Sequence, residues 1–186
     1  MKRLFDLILA ILAALVLVLP LVLLALLVKL TSKGPILYWS DRVGKNNQIF
    51  KMPKFRSMHV GTPAMATHLL TDPAAHLTPI GSFLRKSSLD ELPQLWCILK
   101  GEMSLVGPRP GLFNQEELTA ERDALGVFKV RPGITGLAQV NDIDMSTPKL
   151  LAETDAKMIA SLSVKDYFKF IFMTVLGKGS GDRVKP

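Results

Sequence analysis

Twenty-two consecutive residues without a polar side chain, LILAILAALVLVLPLVLLALLV from Leu7 to Val28, constrain this chain more than any other feature. As a helix rising about 1.5 Å per residue the run is roughly 33 Å long, enough to cross a bilayer core. It is too long for a cleaved signal, and no small-x-small site precedes KLTSKGP, so it reads as a lasting membrane element. Two topologies stay open. A single spanning helix, kinked at Pro20, is the simple one. The other is a bent helix that dips into one leaflet and returns. Basic residues flank the run on both sides, Lys2 and Arg3 before it and Lys29, Lys33, Arg42 and Lys45 after it. A spanning helix normally shows an imbalance of Lys and Arg between its two ends.

Charge follows the same division. Residues 1–60 carry nine Lys or Arg against Asp6 and Asp41, whereas residues 61–186 carry fourteen of each sign, so the net charge of +7 lies entirely in the N-terminal part. That placement suits an anionic lipid surface and disfavours nucleic acid, whose readers spread basic residues over a folded face. Cys97 is the only cysteine, which excludes intrachain disulfides and thiolate zinc sites and points to a reducing compartment.

Beyond the run, Gly34 and Pro35 mark a helix stop. ILYWSDRVGKNNQIFKMPKF predicts two short strands joined by the turn GKNN. Residues 61–79 hold three prolines and read as a loop with one helical turn at most. His68 and His76 in that loop match no compact metal spacing and read as ordinary loop residues. A helix is predicted at 88–100, then a short strand and rigid turn in SLVGPRPG. An amphipathic helix ending at Gly126 and an extended segment turning at Pro132-Gly133 follow. Residues 147–176 have helical periodicity, and DYFKFIFMTVLG within them fits either the membrane interface or a packed core. The pattern predicts an α+β, mostly helical fold.

The adjacent acids Asp90 and Glu91 stand out. Ser88 and Glu91 match the capping box S-x-x-E, which would account for Glu91 structurally. Pro93 conflicts with that account, because it falls where the second turn needs a backbone donor, and an irregular turn is predicted. Asp90, in a first turn and near Arg85, has surroundings that favour an ionised carboxylate and a bound phosphate alike. A carboxylate nucleophile attacking phosphorus needs charge neutralisation and in-line positioning, and Glu91 beside it is suited to Mg²⁺. Lys54 and Arg56 alternate along KFRSM and so share one strand face. Arg109 is stiffened between two prolines in GPRPG, and Arg131 sits in RPGITG. Each is a candidate phosphate ligand; each also has a plain surface reading.

Together these segments resemble the small monotopic phosphoglycosyl transferases of the bacterial sugar transferase family. The resemblance runs through KRLFDLILA, KLTSKGP, RVGKNNQIFKMPKFRSM, IGSFLRKSSLDELPQLWCILKGEMSLVGPRPG, VRPGITGLAQV and TVLGKGSGDRVK, almost the whole chain. It implies a re-entrant membrane helix over residues 1–31, bent at Pro20 with both ends cytoplasmic, and a membrane-associated catalytic domain over 32–186. It implies transfer of sugar-1-phosphate from a UDP-sugar to undecaprenyl phosphate, with release of UMP, at the cytoplasmic face of the bacterial inner membrane. Asp90 would be the nucleophile in a ping-pong reaction and Glu91 the Mg²⁺ ligand, with Lys54, Arg85, Arg109 and Asp155 around the phosphates and metal. Arg131 and Arg56 are added as substrate contacts from the residue pattern. Downstream glycosyltransferases would be partners.

Some positions depart from the family pattern. Leu19 stands where the family often has Ser before the bend, and ETDAKMI lacks the tyrosines usual beside Asp155. The sensing domain and extra membrane helices of larger relatives have no counterpart, which implies a minimal catalytic unit. The GKGSGDRVK ending suggests N-acetylated amino or di-amino sugars. A catalytically silent membrane scaffold that recruits glycosyltransferases is the competing reading.

Overall fold

The apolar run forms one helix, α1 (Lys2–Thr31), in a computed structural model that describes residues 2–65 and 69–179. His68 and most of the GKGSGDRVK ending therefore lie outside the described residues. Pro20 sits inside α1 without ending it. Along one face, Ala10, Ala13, Leu17, Leu21, Leu24 and Val28 pack onto the rest of the protein, keeping a spacing of three or four residues across the proline. The remaining faces, including Leu15, Val16, Leu19 and Leu30, are exposed. Among the described residues, α1 alone is long and apolar enough to cross a membrane by length and composition.

Both ends of α1 are fastened to the same body. Arg3 donates to the carbonyls of Ile98 (2.7 Å) and Leu99 (3.2 Å). Asp6 is buried, and one of its oxygens accepts from Ser104 Oγ (2.9 Å), the Leu105 amide (2.8 Å) and the Tyr167 hydroxyl (2.8 Å). Near the C-terminal end, Val28 packs with Phe55 and Leu84 in a common core cluster.

The predicted hairpin is present. β1 (Leu37–Val43) pairs antiparallel with β2 (Ile49–Phe55), and the connection places Asn46 and Asn47 at φ 57° and 58°, a left-handed conformation that Asn tolerates. Next come α2 (Gly81–Ser87), a 3₁₀ segment over Leu89–Gln94 and α3 (Leu95–Lys100), stopped at Gly101. The helix predicted for 88–100 is thus two helical pieces, with a further helix ahead of them.

β3 (Ser104–Val106) lies parallel to β4 (Gly133–Thr135). Their glycines allow this approach, since a Cβ on Gly133 would come within 2.0 Å of the Gly107 nitrogen. The amphipathic helix α4 (Glu116–Ala124) falls within its predicted range, and Gly126 beyond it is left-handed at φ 66°. α5 (Leu137–Val140) replaces part of the extended segment expected around Pro132-Gly133.

The periodic stretch 147–176 divides into α6 (Pro148–Ser161) and α7 (Val164–Val175). Ser163 starts α7 with a capping box, its Oγ accepting from the Asp166 amide at 3.1 Å. One face of α7 is packed into the core, as one of the two sequence readings has it, and the other is left exposed. Tyr167 and Phe170 are buried with Phe5 and Leu9 of α1 in contact, while Phe172, Val175 and Leu176 are exposed. The fold is α+β and mostly helical, as predicted.

Candidate active site

The acid pair owes its position to a local conflict. Ser88 closes α2 in a left-handed conformation (φ 56°, ψ 18°) and makes no side-chain cap, so the capping box anticipated for Ser88 and Glu91 does not form. Pro93 then lacks the amide that an α-helical second turn needs, and the chain winds as 3₁₀ from Leu89, with the Glu91 amide donating to the Ser88 carbonyl (3.2 Å). Asp90 and Glu91 come out of this turn buried, at 3 % and 8 % exposure.

Glu91 is held by cations from two other elements. Lys54 Nζ, from β2, lies 3.1 Å from its Oε1, and Arg109 grips both carboxylate oxygens, with Nη1 at 3.4 Å and a closer contact from Nη2. The Arg109 backbone is fixed in turn. Gly107 donates to the Thr135 carbonyl (2.8 Å), Gly133 to the Pro108 carbonyl (2.8 Å), and Arg122 Nη1 to the Arg109 carbonyl (2.8 Å). The two prolines around Arg109 restrict its φ and ψ further.

Asp90 opens onto a cavity of about 630 Å³, within the usual range for small-molecule sites. Arg42, Lys54, Arg56, Arg85 and Arg109 share its wall, all but Arg109 buried. Arg42 is braced by Ser40 Oγ (2.9 Å) and the Pro110 carbonyl (3.0 Å), and Arg85 donates to the sulfur of Met58 (3.3 Å). Five cations around the turn that carries Asp90 make a concentrated anion site of the kind phosphate groups occupy. Another part of the lining is apolar, with Val60, Met65, Ile143 and Met145.

Arg56 lines the cavity, yet two of its three nitrogens serve the scaffold. Its Nε donates to the Pro35 carbonyl (2.6 Å) and Nη2 to that of Ser32 (2.9 Å), while Nη1 is buried without a hydrogen-bond partner. Two expected site residues lie elsewhere. Arg131 donates from Nε to the Gly101 carbonyl (2.6 Å) at the end of α3, because the β3–β4 pairing carries residue 131 past that end. It is not part of the cavity wall.

Asp155, expected as a metal ligand, is fully buried on α6. Its Oδ2 accepts from Arg122 Nε (3.0 Å) and Nη2 (2.6 Å), and its Oδ1 has no hydrogen-bond partner among the described residues. Burial pushes its carboxyl above the usual carboxylate range, against the opposing pull of the Arg122 charge. Asp155 therefore acts on the site at second hand, through Arg122 and the Arg109 carbonyl. No cluster of three or more His, Cys, Asp or Glu suited to a metal occurs among the described residues. A Mg²⁺ ion commonly takes one or two carboxylates and completes its shell with substrate phosphates. Glu91, next to the cavity-lining Asp90, fits that arrangement once Lys54 and Arg109 turn their donors to the phosphates; Asp155, fully buried and outside the cavity wall, does not.

Sequence reasoning missed Arg42, which lines the cavity, and Arg122, which holds the Arg109 carbonyl. Arg42 was detectable as the same-face partner of Ser40 on β1 (spacing two). Arg122, within AERDALG, looks like any charge on an amphipathic helix, and only tertiary packing reveals its role.

Residues 1–178 match the bacterial sugar transferase family, and the chain belongs to that family. It is 40 % identical over 190 residues to the undecaprenyl-phosphate glucose phosphotransferase of Komagataeibacter xylinus, covering 94 % of this chain and 35 % of that protein. It is 43 % identical over 166 residues to the UDP-galactose-lipid carrier transferase of Erwinia amylovora, covering 79 % of this chain and 34 % of that one. The chain thus spans about a third of the length of these relatives. The exopolysaccharide production protein PSS of Rhizobium leguminosarum bv. phaseoli is of similar size: 37 % identity over 193 residues covers 96 % of this chain and 94 % of the relative.

Proposed function

We propose that the chain transfers sugar-1-phosphate from a UDP-sugar to undecaprenyl phosphate, releasing UMP and leaving undecaprenyl-diphosphate-sugar. The observation that carries this reading is the buried Asp90–Glu91 turn at a cavity lined by five cations. The family and the names of the relatives supply the substrate classes.

In the first step an Asp90 carboxylate oxygen forms a bond to the β-phosphorus, and the bond from that phosphorus to the bridging oxygen breaks. UMP departs with the electron pair. In the second step a phosphate oxygen of undecaprenyl phosphate takes the phosphosugar from Asp90 and regenerates the carboxylate. Arg85, Arg109 and Lys54 stabilise the charge that develops on the phosphoryl oxygens. Mg²⁺, held by Glu91, would neutralise diphosphate charge. Lys54 and Arg109, which hold Glu91 in its present position, are placed to share their donors with the incoming diphosphate.

The setting we infer is the cytoplasmic face of the inner membrane, with α1 re-entrant. In support, residues near both ends of α1 contact one body, and its domain-facing stripe runs its length. A helix laid along its own domain in this way is poorly arranged to send one end across a bilayer. N-acetylated amino or di-amino sugars are the donor class we favour, the apolar lining being suited to an acetamido methyl.

The test is UMP release by the full chain in detergent with Mg²⁺, undecaprenyl phosphate and a panel of UDP-sugars. Release with one donor that disappears in Asp90→Asn is expected. A burst of UMP near one equivalent without undecaprenyl phosphate would support the ester on Asp90. Failure with every donor would sink the proposal and favour a silent scaffold.

A further inference from the structure

Arg109 grips Glu91 from a short turn that is anchored at both sides. Before it, Gly107 donates to the Thr135 carbonyl and Gly133 to the Pro108 carbonyl, both at 2.8 Å. After it, the Val43 amide of β1 donates to the Gly111 carbonyl (3.0 Å) and Phe113 to the Asp41 carbonyl (3.3 Å). Between these anchors Pro108 and Pro110 have no amide hydrogen to give, so the turn is held largely through its carbonyls. Two arginines from different elements take them. Arg122 of α4 donates to the Arg109 carbonyl (2.8 Å), and Arg42 of β1 donates from Nη1 to the Pro110 carbonyl (3.0 Å).

Arg42 is suited to that task. It is buried on the cavity face of β1, two residues from Ser40, whose Oγ accepts from its Nε (2.9 Å) and aims the guanidinium. Its planar fork therefore joins a strand held in register with β2 to the turn that carries Arg109. The peptide between Pro110 and Gly111 is the one most able to rotate there, because a glycine has no Cβ to restrict its φ. Arg42 holds the oxygen of that peptide. Given the function proposed above, on which this inference rests, we propose that Arg42 is a positioning residue of the transfer: by fixing the Pro110 carbonyl it sets where Arg109 meets Glu91. With Arg122 on the preceding carbonyl, Arg109 is clamped from β1 and from α4 at two successive peptides.

The experiment follows UMP release by the full chain in detergent with Mg²⁺, from the UDP-sugar turned over in the panel above, beside calorimetric binding of UDP. Arg42→Lys keeps a positive charge in the cavity wall but lacks the fork that joins Ser40 to Pro110. It should lower kcat at least about tenfold, since a displacement of about 1 Å at a catalytic group can cost on the order of a hundredfold, with UDP affinity within about threefold of normal. In an Arg109→Lys background the same substitution should cost less than about threefold, because the group it positions is already altered. Ser40→Ala removes only the brace and should lower kcat by about threefold through the same route; it carries the test if Arg42→Lys does not fold. A normal kcat in the variants that fold would overturn the inference. So would a UDP affinity that falls as far as kcat, which would make Arg42 a direct phosphate ligand, or losses that multiply in the double variant, which would make it independent of Arg109. If the unaltered chain binds UDP yet releases UMP from no donor of the panel, the transferase reading fails and this inference falls with it.

Discussion

The buried pair between Arg122 and Asp155 allows stability and activity to be separated. Arg122 is 2 % exposed and Asp155 fully buried, joined through two donors to one carboxylate oxygen. Removing one member of such a pair strands the other charge and costs about 3–5 kcal/mol. At about 2–4 °C per kcal/mol for a chain of this length, Arg122→Met should lower the melting temperature by roughly 6–20 °C. The loss should depend on pH. Burial already raises the Asp155 carboxyl above 3.8, and without the guanidinium it rises further. A raised carboxyl stabilises the folded state below its unfolded value of 3.8, and that contribution is lost as pH rises through the folded value. The variant should therefore be closer to normal at pH 5 than at pH 8.

The double variant Arg122→Met/Asp155→Leu leaves no stranded charge, and most of the stability should return. Activity should not return with it, because the Arg109 carbonyl has lost the Arg122 donor. A misplacement of about 1 Å in a catalytic group can cost on the order of a hundredfold, so a fall in kcat of tenfold or more is expected. Thermal unfolding followed by fluorescence, together with UMP release on the same preparations, decides it. Recovery of both properties in the double variant would refute the role given to the Arg122–Arg109 contact. A double variant no more stable than the singles would refute the account of the pair itself.

Four other outcomes follow from the same structure. Asp6→Ala should cost about 3 kcal/mol, near 1 kcal/mol for each of three donors left without an acceptor, read as a lower melting temperature. Lys54→Met should reduce UMP release at least tenfold, since Glu91 loses one of its cations, and Lys54→Arg should recover part of it. Burial pushes the Cys97 thiol up to about 12, so at pH 7.5 maleimide should label the native protein slowly and the unfolded protein fast, as mass spectrometry would show. Hydrogen bonds from Ser163 hold the Asp166 carboxyl below 3.8, so the cap of α7 persists above that value and fails as pH falls through the lower, folded one. Amide exchange in the first turn of α7, corrected for its intrinsic pH dependence, should accelerate there.

The parts of this molecule that sequence foretold are those governed by neighbours in the chain. The hairpin, the helix over Glu116–Ala124 and the irregular turn forced by Pro93 each depend on a few adjacent residues and a turn or breaker. Asp90, Glu91, Lys54, Arg85 and Arg109, named from dense motifs and from the family resemblance, come together around one turn. Asp155 and Arg131 were misplaced for a common reason. Which cation faces which carboxylate is set by packing between α4, α6 and the β3–β4 pair, and nothing local encodes it. Arg122 takes the carboxylate that sequence had reserved for a metal. Ser88 misled in the opposite sense: its S-x-x-E pattern is genuine, but closing α2 claims the residue for a left-handed turn.

The three hydrogen bonds on Asp6 impose an order on the birth of the protein. Helix α1 precedes Ser104 and Tyr167 in the chain and is apolar enough to enter the bilayer on its own. Asp6, in its second turn, stays without Ser104 until 98 residues further on are made, and without Tyr167 until 161 are. During that interval the carboxylate must remain in water or among headgroups. A nascent α1 that crossed the membrane completely would carry Asp6 away from both partners. α7 thus helps to hold the start of α1 on the domain, and a chain with Asp6 on the far side of the bilayer could not form this junction.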